Sequence, residues 1–75
     1  MRASRASGED IVAQIGSVLR ARRATLGLSL DKLADESGVT RATICALEHG
    51  NGNPCVGTLS RLCGALKCKL VDLLK

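Results

Sequence analysis

The most constraining stretch of this chain runs from Leu30 to Leu47, where two short apolar-periodic segments meet at Gly38-Val39-Thr40. Leu30, Leu33 and Ala34 recur at helical spacing before that joint, and Ile44 and Leu47 share one face after it. A glycine-led turn of about three or four residues forces two such helices to pack at a steep angle. Ser29 is placed to cap the first, which ends by Ser37, and Thr40 to cap the second, which Gly50 ends. Ala34 falls where the two axes cross and needs a small side chain there. Leu33, Val39, Ile44 and Leu47 fill the wedge between the helices. Gly38 is read as the residue with no side chain to clash in the turn.

The flanking segments are helical too. Ser7 with Asp10 resembles an N-cap with an acidic first turn, and Ile11, Ile15, Val18, Leu19 and Leu26 follow at helical spacing until Gly27. Asn51-Gly52-Asn53-Pro54 is the strongest turn signal, and Leu59, Leu62, Ala65 and Leu66 define a fourth amphipathic helix, weakened by Gly57 and Gly64. Leu70 to Leu74 is too brief to stand alone and must dock. The expectation is an all-α fold of five short helices in one domain, residues 9–75, behind a flexible N-terminal tail, residues 1–8, that is small and polar with Arg2 and Arg5. A chain of 75 residues leaves no room for a separate sensor domain. Its small core makes self-association useful.

Composition then narrows the partner. The net charge is +4, and seven of the eleven basic residues are arginine, whose planar fork matches phosphate oxygens and guanine edges. Phe, Tyr and Trp are absent, which removes the stacking that grips single-stranded nucleic acid and leaves duplex DNA as the polyanion of choice. The four cysteines, Cys45, Cys55, Cys63 and Cys68, are ten, eight and five positions apart with no Cys-x-x-Cys pair. That spacing and the lack of a secretory segment argue against a disulfide framework and for a reducing cytoplasm. No run approaches the roughly 18 apolar residues of a membrane span. One histidine, no paired carboxylates in a pocket and no glycine-rich phosphate loop speak against catalysis, and no cofactor is expected.

Ser29-Leu30-Asp31-Lys32-Leu33-Ala34 followed by Gly38-Val39-Thr40-Arg41-Ala42-Thr43-Ile44-Cys45-Ala46-Leu47-Glu48-His49-Gly50 resembles the helix-turn-helix of the lambda-repressor/Cro family, also called the Xre family. Ile15-Gly16, Leu19-Arg20, Arg23 and Leu26-Gly27-Leu28-Ser29 resemble that family's first helix, and Asn53-Pro54, Leu59, Leu62, Ala65-Leu66 and Leu73-Leu74 its fourth and fifth, so that residues 11 to 74 are covered. The resemblance implies a transcriptional regulator of the repressor or controller type whose third helix enters the major groove of a two-fold symmetric operator. It assigns base reading to Arg41, Ala42 and Ala46, with Arg41 making a bidentate contact to guanine. Phosphate contacts fall to Thr40, Thr43, His49 and Arg20 or Arg22. Ala34, Gly38, Ile44 and Leu47 become the structural residues of the motif, and Arg23 and Glu48 an ion pair between the first and third helices. A homodimer closes through Leu70, Leu73 and Leu74, expected to be exposed. Leu30 stands where the family usually has a glutamine that binds phosphate, so that contact is missing.

Other readings compete. Arg20, Arg22 and Arg23 also fit a solvated helix face, His49 a cap at a helix C-terminus, and Arg41 a contact to phosphate. Cys45 and His49, one turn apart, invite zinc, but Cys63 and Cys68 fall at core positions and Cys55 stands alone. An antitoxin-type module that neutralises a protein partner and binds DNA secondarily suits the same fold, and a restriction-modification controller would be a subtype of the regulator.

Overall fold

A computed structural model describes residues 8–74, and these form five helices and no strand: α1 (Gly8–Thr25), α2 (Leu30–Ser37), α3 (Arg41–Glu48), α4 (Val56–Leu66) and α5 (Leu70–Leu73). The tail expected over residues 1–8 lies outside the described residues apart from Gly8, and so does the expected cap at Ser7.

α1 ends in a left-handed turn at Gly27, φ 68°, where the amides of Gly27 and Leu28 bond the carbonyls of Ala24 and Arg23 at 3.0 Å each. Ile15 and Leu19 are buried and Val12 and Val18 half-buried, but Ile11 and Leu26, expected on the same apolar stripe, are exposed. Leu26 falls past the helix end. The eight residues of α3 reach only about 12 Å along α1, whose 18 residues run about 27 Å, and Ile11 lies in its first described turns.

The two helices of the motif are capped at both ends. The Ser29 side chain accepts from the Lys32 amide at 3.0 Å, and Gly38, φ 75°, donates to Ala34 O at 2.9 Å. A Cβ on Gly38 would meet nothing within 4 Å, so the glycine is there for its left-handed backbone rather than to avoid a clash. Ser37 is buried, and its hydroxyl accepts from the Val39 amide at 3.1 Å.

The core joins Ile15 and Leu19 of α1, Leu33 of α2, Val39, Ile44 and Leu47 around α3, Leu59, Leu62, Cys63 and Leu66 of α4, and Leu73 of α5. Ala34 and Leu70 pack partly buried against it. Leu73 is 0% exposed, which corrects its expected place on an open surface: α5 is one turn long, and that turn is held to the body by this side chain. The tightest surroundings of any described glycine lie between α1 and α3. A Cβ on Gly16 would stand 1.8 Å from Leu47 O and 2.8 Å from Leu47 C.

Candidate DNA interface

α3 turns Ile44 and Leu47 inward, so at 100° per residue Ala42 lies opposite the core with Cys45 and Ala46 beside it. Ala42 is exposed, and Cys45 and Ala46 are half-exposed. All three side chains are short, and an approaching surface therefore comes close to the helix backbone.

The start of α3 carries the polar groups. Thr40 Oγ1 accepts from the Thr43 amide at 3.2 Å and donates its own proton to Thr43 Oγ1 at 2.8 Å. That leaves the Thr43 hydroxyl proton for an outside acceptor, while Thr40 serves as the cap. The amides of Arg41 and Ala42 precede the helical bonding pattern and have no acceptor among the described residues. No acidic residue lies in this first turn, so the positive end of the helix is unneutralised from within.

Arg41, with a side chain 62% exposed, stands at this end, and its Nε lies 3.1 Å from Oδ1 of Asp31 in the first turn of α2. Neither the periodicity nor the spacing of the sequence points to Asp31, because the two residues are joined only through the Gly38 turn. Arg23 is bound on three sides. Its Nε and Nη2 donate to the Glu48 carboxylate at 2.7 and 2.9 Å, and its Nη1 donates to Leu28 O at 2.9 Å. Hydrogen bonding to Glu48 raises the pKa of the guanidinium against the opposing effect of burial. This pair ties α1, the α1–α2 turn and the end of α3 together, and thereby orients the helix that carries Arg41.

The remaining candidates are dispersed. His49 caps the opposite end of α3, where Nδ1 lies 2.8 Å from Cys45 O. A carbonyl only accepts, so Nδ1 holds the proton and Nε2 faces outward bonding. The Cys45 thiol is 3.8 Å from that same nitrogen. Arg20 is exposed on α1. Arg22 lies 3.8 Å from Asp72 of α5 and lines a shallow surface depression with Leu26, Leu66 and Lys67, so the structure does not bring it together with the start of α3. Val71 on α5 and Leu74 just past its end are exposed, at 56% and 52%. Among the described residues no three side chains of the metal-binding kinds converge, and no helix is long and apolar enough to cross a membrane.

A capped pair of short helices around Gly38, with a small-residue outer face on the second, coincides with residues 19–73 matching the HTH_3 helix-turn-helix model. The chain belongs to the HTH_3 family. This is a family of DNA-binding transcriptional regulators and not of enzymes. An uncharacterised HTH-type transcriptional regulator of Methanothermobacter thermautotrophicus is 42% identical over 50 residues, covering 67% of this chain and 72% of that protein. YgzD of Bacillus subtilis, another uncharacterised HTH-type regulator, is 37% identical over 51 residues, covering 68% and 77%. Among solved structures, an HTH_3 family transcriptional regulator from Vibrio cholerae superposes with a TM-score of 0.85 at 28% identity; the match covers 89% of this chain but only 38% of the Vibrio protein. The restriction-modification controller protein C.AhdI from Aeromonas hydrophila superposes with a TM-score of 0.79 at 31% identity, covering 83% of this chain and 94% of that one.

Proposed function

We propose that this HTH_3 chain is a cytoplasmic regulator that binds a two-fold symmetric duplex operator as a homodimer, with α3 of each copy in the major groove of one half-site. The observation that carries the reading is the outward side of α3: Ala42, Cys45 and Ala46 admit close approach, and Arg41 projects beside them at the helix start. Arg41 then reads guanine O6 and N7, a contact worth about 1–3 kcal/mol of discrimination, while Ala42 and Ala46 touch a thymine methyl. The amides of Arg41 and Ala42, the Thr43 hydroxyl and Arg20 hold phosphates, while His49, whose Nδ1 donates to Cys45 O, is not counted among these donors. Arg22, drawn toward Asp72, is not among them.

The dimer forms through α5 and the adjoining part of α4, where Leu74 and Val71 are open and Leu70 lies at the edge. Half-sites are then about one helical turn apart, ~34 Å. Selection of bound sequences from a random duplex library at fixed salt tests the whole reading. It should yield an inverted repeat with that spacing, and the Arg41→Ala protein should lose its preference at one base pair of each half. Enrichment of no sequence over the input pool would refute it.

A further inference from the structure

We propose that Asp31 is a positioning residue for Arg41 and sets how sharply the protein distinguishes one base pair; the inference rests on the reading of Arg41 as a base-contacting group. The two side chains meet across the interhelical turn, with Oδ1 of Asp31 3.1 Å from Nε of Arg41. Approach through Nε leaves both terminal amino groups as donors, and these are the two that span guanine O6 and N7.

Among the described residues no other side chain is bonded to Arg41. The Leu30 side chain has no polar atom, Ala42 and Ala46 are too short, and Lys32 is engaged with Glu36 at 3.7 Å. Arg41 is 62% exposed and would otherwise sample many rotamers, so a single anionic neighbour biases which of them is populated before DNA arrives. Asp31, 83% exposed, lies in the first turn of α2 within reach of Arg41 at the start of α3, where its charge repels phosphates. Its presence thus opposes general affinity, and the compensating effect is selectivity. An acidic group in the first turn also favours α2 itself. That role affects all duplexes alike, which separates it from positioning.

The experiment compares wild type with Asp31→Asn, Arg41→Ala and the double variant, on a selected duplex, on the same duplex altered at the Arg41-dependent base pair, and on random duplex, with folding followed by far-UV circular dichroism. Asp31→Asn should bind random duplex at least as tightly as wild type, yet lose about threefold in preference at that base pair. It should add no loss of preference in the Arg41→Ala background. An unchanged or increased preference in Asp31→Asn, or an equal loss with and without Arg41, overturns the positioning role while leaving base reading by Arg41 intact. Arg41→Ala with every preference unchanged overturns both, and the two failures are therefore distinct.

Discussion

Substituting the same residue type at two glycines should move stability in opposite directions. At Gly16 a methyl group would lie 1.8 Å from Leu47 O, 2.8 Å from Leu47 C and 3.2 Å from Glu48 Cα, all main-chain atoms that cannot rotate away. Restoring ordinary contact separates α1 from α3 by about 1.5 Å or more, loosening Ile15 and Leu19 against Ile44 and Leu47 and stretching the Arg23–Glu48 pair. Overpacking costs about 1–3 kcal/mol, and the rigid obstacle places this case at or above the upper end. The gain of up to about 1 kcal/mol from replacing glycine with alanine in a helix offsets only part of it. Gly16→Ala should therefore lose about 2 kcal/mol, a fall in Tm of roughly 10 °C or more for a domain of this size. At Gly64 the methyl group meets nothing within 4 Å, so only the helix preference acts and Gly64→Ala should gain about 0.5–1 kcal/mol. The chain has no aromatic residue and hence no intrinsic fluorescence, so urea denaturation is followed by far-UV circular dichroism, at several concentrations to keep dimerisation apart from folding. A Gly16→Ala protein as stable as wild type would refute the close approach of α1 and α3.

Glu48→Leu should cost about 3 kcal/mol, because it leaves the guanidinium of Arg23 partly buried and unpaired, whereas Arg23→Met with Glu48→Leu together should cost much less; denaturation of the three variants completes the cycle. Alkylation at neutral pH, mapped by mass spectrometry, should modify Cys55 first and Cys63 last. Cys55 is exposed and its pKa is lowered by the Thr58 hydroxyl, 3.3 Å from its sulfur, while burial pushes the Cys63 thiol up to about 11. Since 9.0 is the ordinary value, the unfolded chain releases the Cys63 proton before the folded one does. That contribution to stability is complete below pH 9 and is lost as pH rises toward 11, so denaturation midpoints should fall across this window and Cys63→Ala should flatten the fall.

The helices were legible because caps and breakers act locally. Ser29, Thr40, Gly27 and Gly38 each satisfy or terminate a few neighbouring amides, and those needs are visible in short spacings. Long-range consequences were less so. Leu73 reads as an end-of-chain leucine with no more claim to the core than Leu74, because a one-turn helix has no full period to mark its inner face. Gly38 was singled out for a clash that the structure does not contain, since a crowded turn and a left-handed backbone both call for glycine and only the second applies here. Gly16 gave no decisive signal: a glycine inside a helical segment marks a close approach there but open space at Gly64, and only the packing of α1 on α3 separates the two. The meeting of Asp31 with Arg41 gave none, because it depends on the angle between two helices. The Arg23–Glu48 pair was visible only through family resemblance, being 25 positions apart.

The central claim is that the start of α3 faces base edges in the major groove, and 7-deazaguanine tests it directly, because it removes the N7 acceptor while leaving base pairing and the minor groove unchanged. Placed in turn at each guanine of a selected duplex, it should weaken binding of the wild-type protein at one position of each half-site by roughly fivefold or more, and should leave the Arg41→Ala protein indifferent at that position. Binding that tolerates the replacement at every guanine, yet is abolished by a minor-groove ligand, would contradict the account.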